Sequence, residues 1–131
     1  HAILRTSWVF SAHGANFVRT MLRLGAERAE LRVVADQVGG PTPAAALADA
    51  CHLAAWALRD GAPSGTHHLA GAPHASWADL AGAVMAETGL PARVLPVATA
   101  DWPTPAPRPL NSRLDGGSAR AVLGLAPPDW R

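Results

Sequence analysis

Leu31-Arg32-Val33-Val34-Ala35-Asp36-Gln37-Val38-Gly39-Gly40-Pro41-Thr42-Pro43 is the stretch that decides the fold. Its first six residues are mostly apolar, which predicts a strand. Residues 37–41 predict a loop, because glycine and proline interrupt regular structure. Thr42 followed by Pro43 predicts a helix with a threonine N-cap and proline at its first position. Strand, loop and helix in this order form the unit of an α/β protein.

The same unit recurs on both sides of this stretch. Further strands are predicted over Ala2–Phe10, Thr66–Ala70 and Arg93–Val97, the last at a sheet edge or beside a bulge because it contains Pro96. Further helices are predicted after the capping residues Asn16, Ser76 and Ser118, with a capping box between Ser76 and Asp79 and with helix ends at or just after Gly25 and at Gly89. The pattern predicts one α/β unit without an internal linker.

Composition excludes several classes of function. Apolar residues make up 49% of the 131 residues, enough for a core, and the formal net charge is only +1. The basic residues are all arginines and are scattered, which argues against a nucleic-acid partner. No apolar run approaches the roughly 20 residues that span a bilayer, so no membrane partner is expected. The one cysteine, Cys51, lies in an apolar helical pattern, which predicts a buried thiol and a reducing, cytoplasmic location.

Some chemistry cannot be completed by this chain alone. It contains no tyrosine and no lysine, so it supplies neither a tyrosine acid nor a Schiff-base lysine. No G-x-G-x-x-G dinucleotide fingerprint is present. Among the six histidines, His67 and His68 are adjacent and would point to opposite faces of a strand, and the others lack ligand spacing. No metal site is predicted.

Three polar clusters are assigned to strand ends, where ligands bind in parallel sheets. In residues 5–8, Trp8 could stack on a sugar or nicotinamide ring, or could simply pack in the core. Residues 36–42 could approach an anionic ligand through glycine backbone, or could be an ordinary turn. In residues 108–115, Arg108 could contact a phosphate, or the loop could pair its own charges, Arg113 with Asp115.

Together these clusters resemble one family. R-T-S-W-V-F at 5–10, G-A-N-F at 14–17 with T-M-L at 20–22, D-Q-V-G-G-P-T at 36–42 and R-P-L-N-S-R-L-D at 108–115 occur in that order. In this combination they are similar to the C-terminal half of dTDP-4-dehydrorhamnose reductases, which are extended short-chain dehydrogenase/reductases. The resemblance runs from about Ile3 to Leu125. It implies an α/β, Rossmann-like fold, with the last strand of the sheet and a small substrate-binding subdomain in this chain.

The resemblance also implies a function. Residues 1–131 are expected to be a single C-terminal substrate-binding region of an enzyme that reduces dTDP-4-dehydro-L-rhamnose to dTDP-L-rhamnose. NADPH or NADH would be held mainly by an N-terminal Rossmann part that also carries a Tyr-x-x-x-Lys motif, so no catalytic residue is expected here. The residue roles it implies are sugar binding by Trp8, a place beside the nicotinamide for Ser7, and nucleotide-diphosphate contacts by Asn16, Gln37 and Arg108.

Two alternatives stay open. The chain could belong to a non-catalytic, reductase-like subunit that binds a partner enzyme, or it could be a self-contained α/β binding module. If it is a fragment, the strand that contains Arg5 should expose an apolar edge or pair with a second copy, as in a homodimer.

Overall fold

The computed structural model describes residues 1–131 as four α-helices and nine short strands. The helices are α1 (Phe17–Glu27), α2 (Ala44–Arg59), α3 (Trp77–Thr88) and α4 (Gly117–Leu123). The strands are β1 (Ala2–Arg5), β2 (Val9–Phe10), β3 (Glu30–Val34), β4 (Val38–Gly39), β5 (Thr42–Pro43), β6 (Gly65–His68), β7 (Ala75–Ser76), β8 (Arg93–Val97) and β9 (Asn111–Ser112). The order of strands and helices confirms the α/β prediction.

Most strand pairs are parallel, as expected when helices connect them. Parallel pairs form between β1 and β6, between β2 and β5, and between β3 and β8, and β4 lies between antiparallel β7 and parallel β9. The edge position predicted for Pro96 is confirmed, because β8 pairs only with β3, where Pro96 lies opposite Val33. The predicted continuous strand over Ala2–Phe10 is wrong, because Trp8 has φ 49° and divides it into β1 and β2.

Two apolar clusters hold these elements together. The first lies between α1, α3 and the β3–β8 pair and includes Met21, Leu31 and Val84. Gly25 is buried inside α1, and a Cβ built there would come 2.6 Å from Sδ of Met85, so glycine allows the two helices to approach. The second cluster joins α2 and α4 to the β1–β6 pair through residues such as Ala54, Leu69, Ala119, Leu123 and Leu125.

The helix-capping predictions succeed for α1 and α3. The Asn16 side chain accepts a hydrogen bond from the Arg19 N–H, and the capping box of α3 between Ser76 and Asp79 is complete. The ends are also confirmed, since α1 ends two residues after Gly25, and α3 ends at Gly89, which is left-handed with φ 66°. These features depend on contacts within one helical turn.

The capping predictions for α2 and α4 are wrong. The N-cap of α2 is Pro43 rather than Thr42, because the Thr42 hydroxyl bonds to distant backbone instead of to the helix. The N-cap of α4 is Gly116, and Ser118 lies within the helix, with its hydroxyl 3.3 Å from Nδ1 of the buried His67. In both places the hydroxyl group contacts a residue that is distant in the sequence, where a bond to the first turn of the helix was expected.

The apolar face of α2 is wider than the surface that this chain buries. Cys51 is exposed, so the prediction of a buried thiol is wrong, and Leu53 and Trp56 are 55% and 56% exposed. On β1, Ile3 is 50% exposed, as the fragment hypothesis expected for this strand. None of the helices has the length and hydrophobicity needed to cross a bilayer.

Candidate functional site

Trp8 has an unusual backbone conformation at the junction between β1 and β2. It is the chain's only residue other than glycine with a positive φ. Such a conformation costs on the order of 1–3 kcal/mol and persists where the surroundings impose it. Here the Trp8 carbonyl accepts a hydrogen bond of 3.2 Å from the Thr42 N–H, and β2 is paired with β5 immediately afterwards. The strain turns the indole away from the course of the strand.

The Trp8 indole lies against a second tryptophan. The rings of Trp8 and Trp77 are stacked with centroids 3.6 Å apart and an interplanar angle of 10°, and Phe17 packs on Trp77 at 4.6 Å. Gly39 leaves room for Trp8, because a Cβ there would come 2.6 Å from its Cε2. Both indoles are half-buried, so the pair lies near the surface and not deep in the core.

A directional chain of hydrogen bonds extends from Trp77 to a carboxylate. Trp77 Nε1 donates to Gln37 Oε1 at 3.2 Å, and Gln37 Nε2 donates to Thr99 Oγ1 at 3.1 Å. The Thr99 hydroxyl donates to Asp36 Oδ1 at 2.6 Å, and the Thr99 N–H also donates to that carboxylate. The hydroxyl bond first, and then the backbone bond, lower the pKa of Asp36 below its ordinary value.

Ser7 and Thr42 connect the first two polar clusters. Ser7 Oγ donates to the Gly40 carbonyl at 3.0 Å, while the Thr42 hydroxyl, 2.8 Å from the Ser7 carbonyl, accepts from the Gly71 N–H at 3.0 Å. Next to Ser7, the hydroxyl of Thr6 is buried and has no hydrogen-bond partner. The junction after β1 therefore offers one orphaned polar atom.

Asn16 begins α1 close to this junction, because the next residue, Phe17, contacts Trp77. Its side-chain oxygen caps the helix, and its Nδ2 donates to the carbonyls of Ser11 at 2.8 Å and His13 at 3.3 Å. The first turn of α1 carries no acidic residue, so the positive end of the helix dipole is not neutralised. Asn16 thus shapes a turn that can face an anion.

Arg108 is the most peripheral of the predicted site residues. The β4–β9 pair brings its segment alongside the second cluster, and the Val38 N–H donates to the Leu110 carbonyl at 2.9 Å. Arg108 itself is exposed and has no hydrogen bond or ion pair with the rest of the chain. The predicted pair between Arg113 and Asp115 is wrong, because Arg113 Nε donates to Asn111 instead.

The structure thus groups Trp8, Ser7, Gln37 and the start of α1, and it leaves Arg108 at the periphery. Trp77 was not singled out as a site residue in the sequence analysis. Its position directly after the capping serine Ser76 was the available signal, since a side chain in the first turn of a helix lies beside the preceding loop.

A groove of about 940 Å³ runs beside α1, between residues 10–13 and the start of α2. Its walls combine apolar side chains such as Phe10 and Leu22 with His13 and Arg19. None of the five predicted site residues is among the residues that line this groove. No group of three or more histidine, cysteine, aspartate or glutamate side chains converges as a metal site would require.

Parallel strand pairs with connecting helices and polar residues at the strand ends define a Rossmann-like α/β protein. A UDP-glucose-4-epimerase structure from Stenotrophomonas maltophila shares this fold, with a TM-score of 0.72 at 23% identity over 94% of the chain. The whole chain, residues 1–131, matches the RmlD substrate binding domain. The chain therefore belongs to the RmlD substrate-binding domain family.

Individual relatives agree with this assignment. A dTDP-4-dehydrorhamnose reductase from Burkholderia thailandensis is 42% identical over 97% of the chain, which corresponds to 47% of that reductase. The crystal structure of the Bacillus anthracis dTDP-4-dehydrorhamnose reductase in complex with NADP has a TM-score of 0.86 and 36% identity, and the chain covers 44% of it. The chain thus spans about half the length of the relatives it matches. These similarities confirm the family resemblance and the fold class.

Proposed function

We propose that this chain forms the nucleotide-sugar-binding part of a reductase that converts dTDP-4-dehydro-L-rhamnose to dTDP-L-rhamnose. The supporting observation is the 42% identity to a curated reductase of that name over 97% of the chain. We further propose that residues 1–131 act as one substrate-binding region and that the nicotinamide cofactor is bound mainly by another part of the complete protein.

Within this proposal, Trp8 is the sugar-binding residue. Its ring is held by the Trp77 stack, and its indole N–H makes no hydrogen bond within the chain, so it can donate to a sugar hydroxyl. Aromatic side chains with one polar atom suit such ligands, because the ring covers C–H groups while the N–H bonds to oxygen. The strained φ of Trp8 fits a role that requires a fixed orientation.

The diphosphate would lie near the start of α1. Free N–H groups and an un-neutralised helix dipole favour an anion there, and Asn16 keeps the preceding turn in shape. Arg108 is an unpaired cation that could extend toward the nucleotide, because nothing in the chain pairs its guanidinium. The substrate contact proposed for Gln37 is less direct, since both ends of its amide bond to Trp77 and Thr99.

The residues directly after β1 suit the nicotinamide end of a dinucleotide cofactor and do not suit its phosphates. The buried, unpartnered hydroxyl of Thr6 is a donor without an acceptor, and the Ser7 hydroxyl beside it is bonded to Gly40. NADPH or NADH would supply a hydride to the 4-keto carbon when bound. This chain would orient the sugar and exclude water, and the proton donor would lie outside it, because the chain has no tyrosine or lysine.

The complete protein provides the test. Oxidation of NADPH in the presence of dTDP-4-dehydro-L-rhamnose should be measurable, and Trp8→Ala should lower kcat/KM for the sugar by roughly 10-fold or more. Trp102→Ala is a matched control, because Trp102 is 46% exposed and its ring stacks on no other aromatic side chain, lying 5.9 Å from the Arg32 guanidinium carbon. Trp8→Phe keeps an aromatic ring, so its kcat/KM for the sugar should lie between those of Trp8→Ala and Trp102→Ala. Turnover that is unaffected in Trp8→Ala would remove Trp8 from the site.

The same assay separates the alternative of a non-catalytic subunit, which would bind the dTDP-sugar or a partner enzyme without oxidising NADPH. A cytoplasmic location and a homodimer are further parts of the proposal, the second because the open edge of β1 and the exposed Ile3 could pair with another copy.

A further inference from the structure

We propose that Gln37 and Trp77 are positioning residues, which hold Trp8 in the orientation that binds the sugar. This inference rests on the proposed function, because it assigns Trp8 to the ligand and the two other side chains to Trp8. It follows from three features of the described residues: the indole stack, the direction of the hydrogen-bond chain, and the strained backbone of Trp8.

The stack restricts Trp8 from one side. With 3.6 Å between centroids and nearly parallel planes, the Trp8 ring cannot rotate about χ2 without displacing Trp77. Phe17 packs against Trp77 with ring centroids 4.6 Å apart, and Trp77 is the first residue of α3. The orientation of Trp8 is therefore only as fixed as that of Trp77.

The hydrogen-bond chain fixes Trp77. An indole N–H can only donate, so Gln37 must present its oxygen to Trp77 and its NH₂ group to Thr99. Thr99 then has its proton free for Asp36, whose carboxylate accepts it at 2.6 Å. Each of Trp77, Gln37 and Thr99 donates to the next group in the chain, so one arrangement makes all of these bonds, and a rotated Trp77 would break it.

Trp8 needs such support because its backbone is strained. A residue held at φ 49° relaxes toward other backbone conformations when the packing around its side chain loosens. Without a fixed Trp77, only a fraction of the molecules would hold Trp8 in the binding orientation. The apparent affinity for the sugar falls by that fraction, while the chemistry in the bound complex is unchanged.

The decisive variants are Gln37→Leu and Trp77→Phe in the complete protein. Gln37→Leu keeps the size of the side chain and removes both hydrogen bonds, and Trp77→Phe keeps an aromatic ring and removes the N–H. Each should raise KM and Kd for the dTDP-sugar by roughly 3- to 10-fold, the effect of one lost hydrogen bond, and should leave KM for NADPH and kcat nearly unchanged. The double variant should be no worse than the worse single variant, because both act through the same indole.

A spectroscopic measurement separates positioning from a direct contact. Two stacked indoles couple their electronic transitions and give a paired positive and negative band in the far-ultraviolet circular dichroism spectrum. Gln37→Leu retains every tryptophan, so weakening of this couplet reports a change in the geometry of the pair. Trp102→Phe is the control for loss of a tryptophan outside the pair and should leave the couplet intact.

Each result has a defined meaning. A weakened couplet with a raised sugar KM in Gln37→Leu supports the proposal. Wild-type turnover together with unchanged sugar affinity and couplet in that variant would overturn it and leave the proposed function standing. Additive losses in the double variant would also overturn it, since Gln37 would then act independently of Trp77. Absence of turnover in the unmutated complete protein would instead reject the proposed function. If Gln37→Leu does not fold, Trp77→Phe decides alone, and an unchanged sugar KM there refutes the proposal.

Discussion

Replacing Thr42 by valine tests the junction that carries the site. Thr42 is fully buried, and its hydroxyl lies 2.8 Å from the Ser7 carbonyl, 3.1 Å from the Gly40 carbonyl and 3.0 Å from the Gly71 nitrogen. One hydroxyl proton serves one carbonyl at a time, while the oxygen accepts from Gly71. Valine has nearly the same shape, so the substitution removes these bonds without leaving a cavity.

The expected loss is about 2–3 kcal/mol in the free energy of unfolding. A buried N–H without an acceptor costs about 1–3 kcal/mol, and the lost bond to the carbonyl adds about 0.5–1.5 kcal/mol at most. The Gly71 N–H cannot escape by rotating away, because this glycine is packed directly on the Pro41 carbonyl. A loss of this size changes the unfolding equilibrium constant roughly 30- to 150-fold.

Urea denaturation of the complete protein measures this loss. Thr42→Ser keeps the hydroxyl and loses only a methyl group, so it should be less destabilising than Thr42→Val. Thr66→Val is the matched control, because Thr66 is exposed on β6 and valine is well accepted in strands, so its effect should stay within about 0.5 kcal/mol. A Thr42→Val protein as stable as the control would refute the assigned hydrogen bonds.

Three further predictions concern other parts of the site. Gly39→Ala should displace Trp8, because the added Cβ would come 2.6 Å from its ring, and it should raise the sugar KM at least as much as Trp8→Phe does in the same kinetic assay. Ser76→Ala removes one half of the capping box of α3 and should lower stability by about 1 kcal/mol in urea denaturation, whereas Asp79→Asn, which keeps an acceptor, should cost less. The pKa of Asp36 is lowered in the folded state, so its stabilising effect is complete above the ordinary value of 3.8 and is lost as the pH falls through the lowered pKa. The difference in the free energy of unfolding between the unmutated protein and Asp36→Asn should therefore shrink between pH 6 and pH 2. A difference that grows on acidification would contradict the assigned hydrogen bonds.

Local sequence signals predicted the helices well. Asn16 caps α1, Ser76 and Asp79 form the capping box of α3, and Gly89 ends that helix. Each of these signals acts between residues within one turn of a helix, so a single sequence contains both partners of the interaction. The strand over Arg93–Val97 was predicted for a similar reason, because its apolar, β-branched pattern is local.

Predictions failed where a local preference competed with a distant partner. Thr42 is a good capping residue, but its hydroxyl meets the backbone of Ser7 and Gly71 instead. Cys51 has an apolar helical context, yet this chain does not cover that side of α2. Periodicity shows which face of a helix is apolar and cannot show how much of it the same chain buries.

For the candidate site, too, local sequence patterns and contacts between distant residues contributed different information. The sequence by itself determined the α/β class and the starts of α1 and α3, and it proposed the site residues Trp8, Ser7, Asn16, Gln37 and Arg108, because these inferences depend on short motifs in a recognisable order. Only the tertiary structure decided that Trp8 is strained and stacked on Trp77, and that Gln37 holds Trp77, a residue 40 positions away. The physical reason is that strand pairing and ring stacking join residues far apart in the chain, and no pattern confined to one segment encodes such a contact.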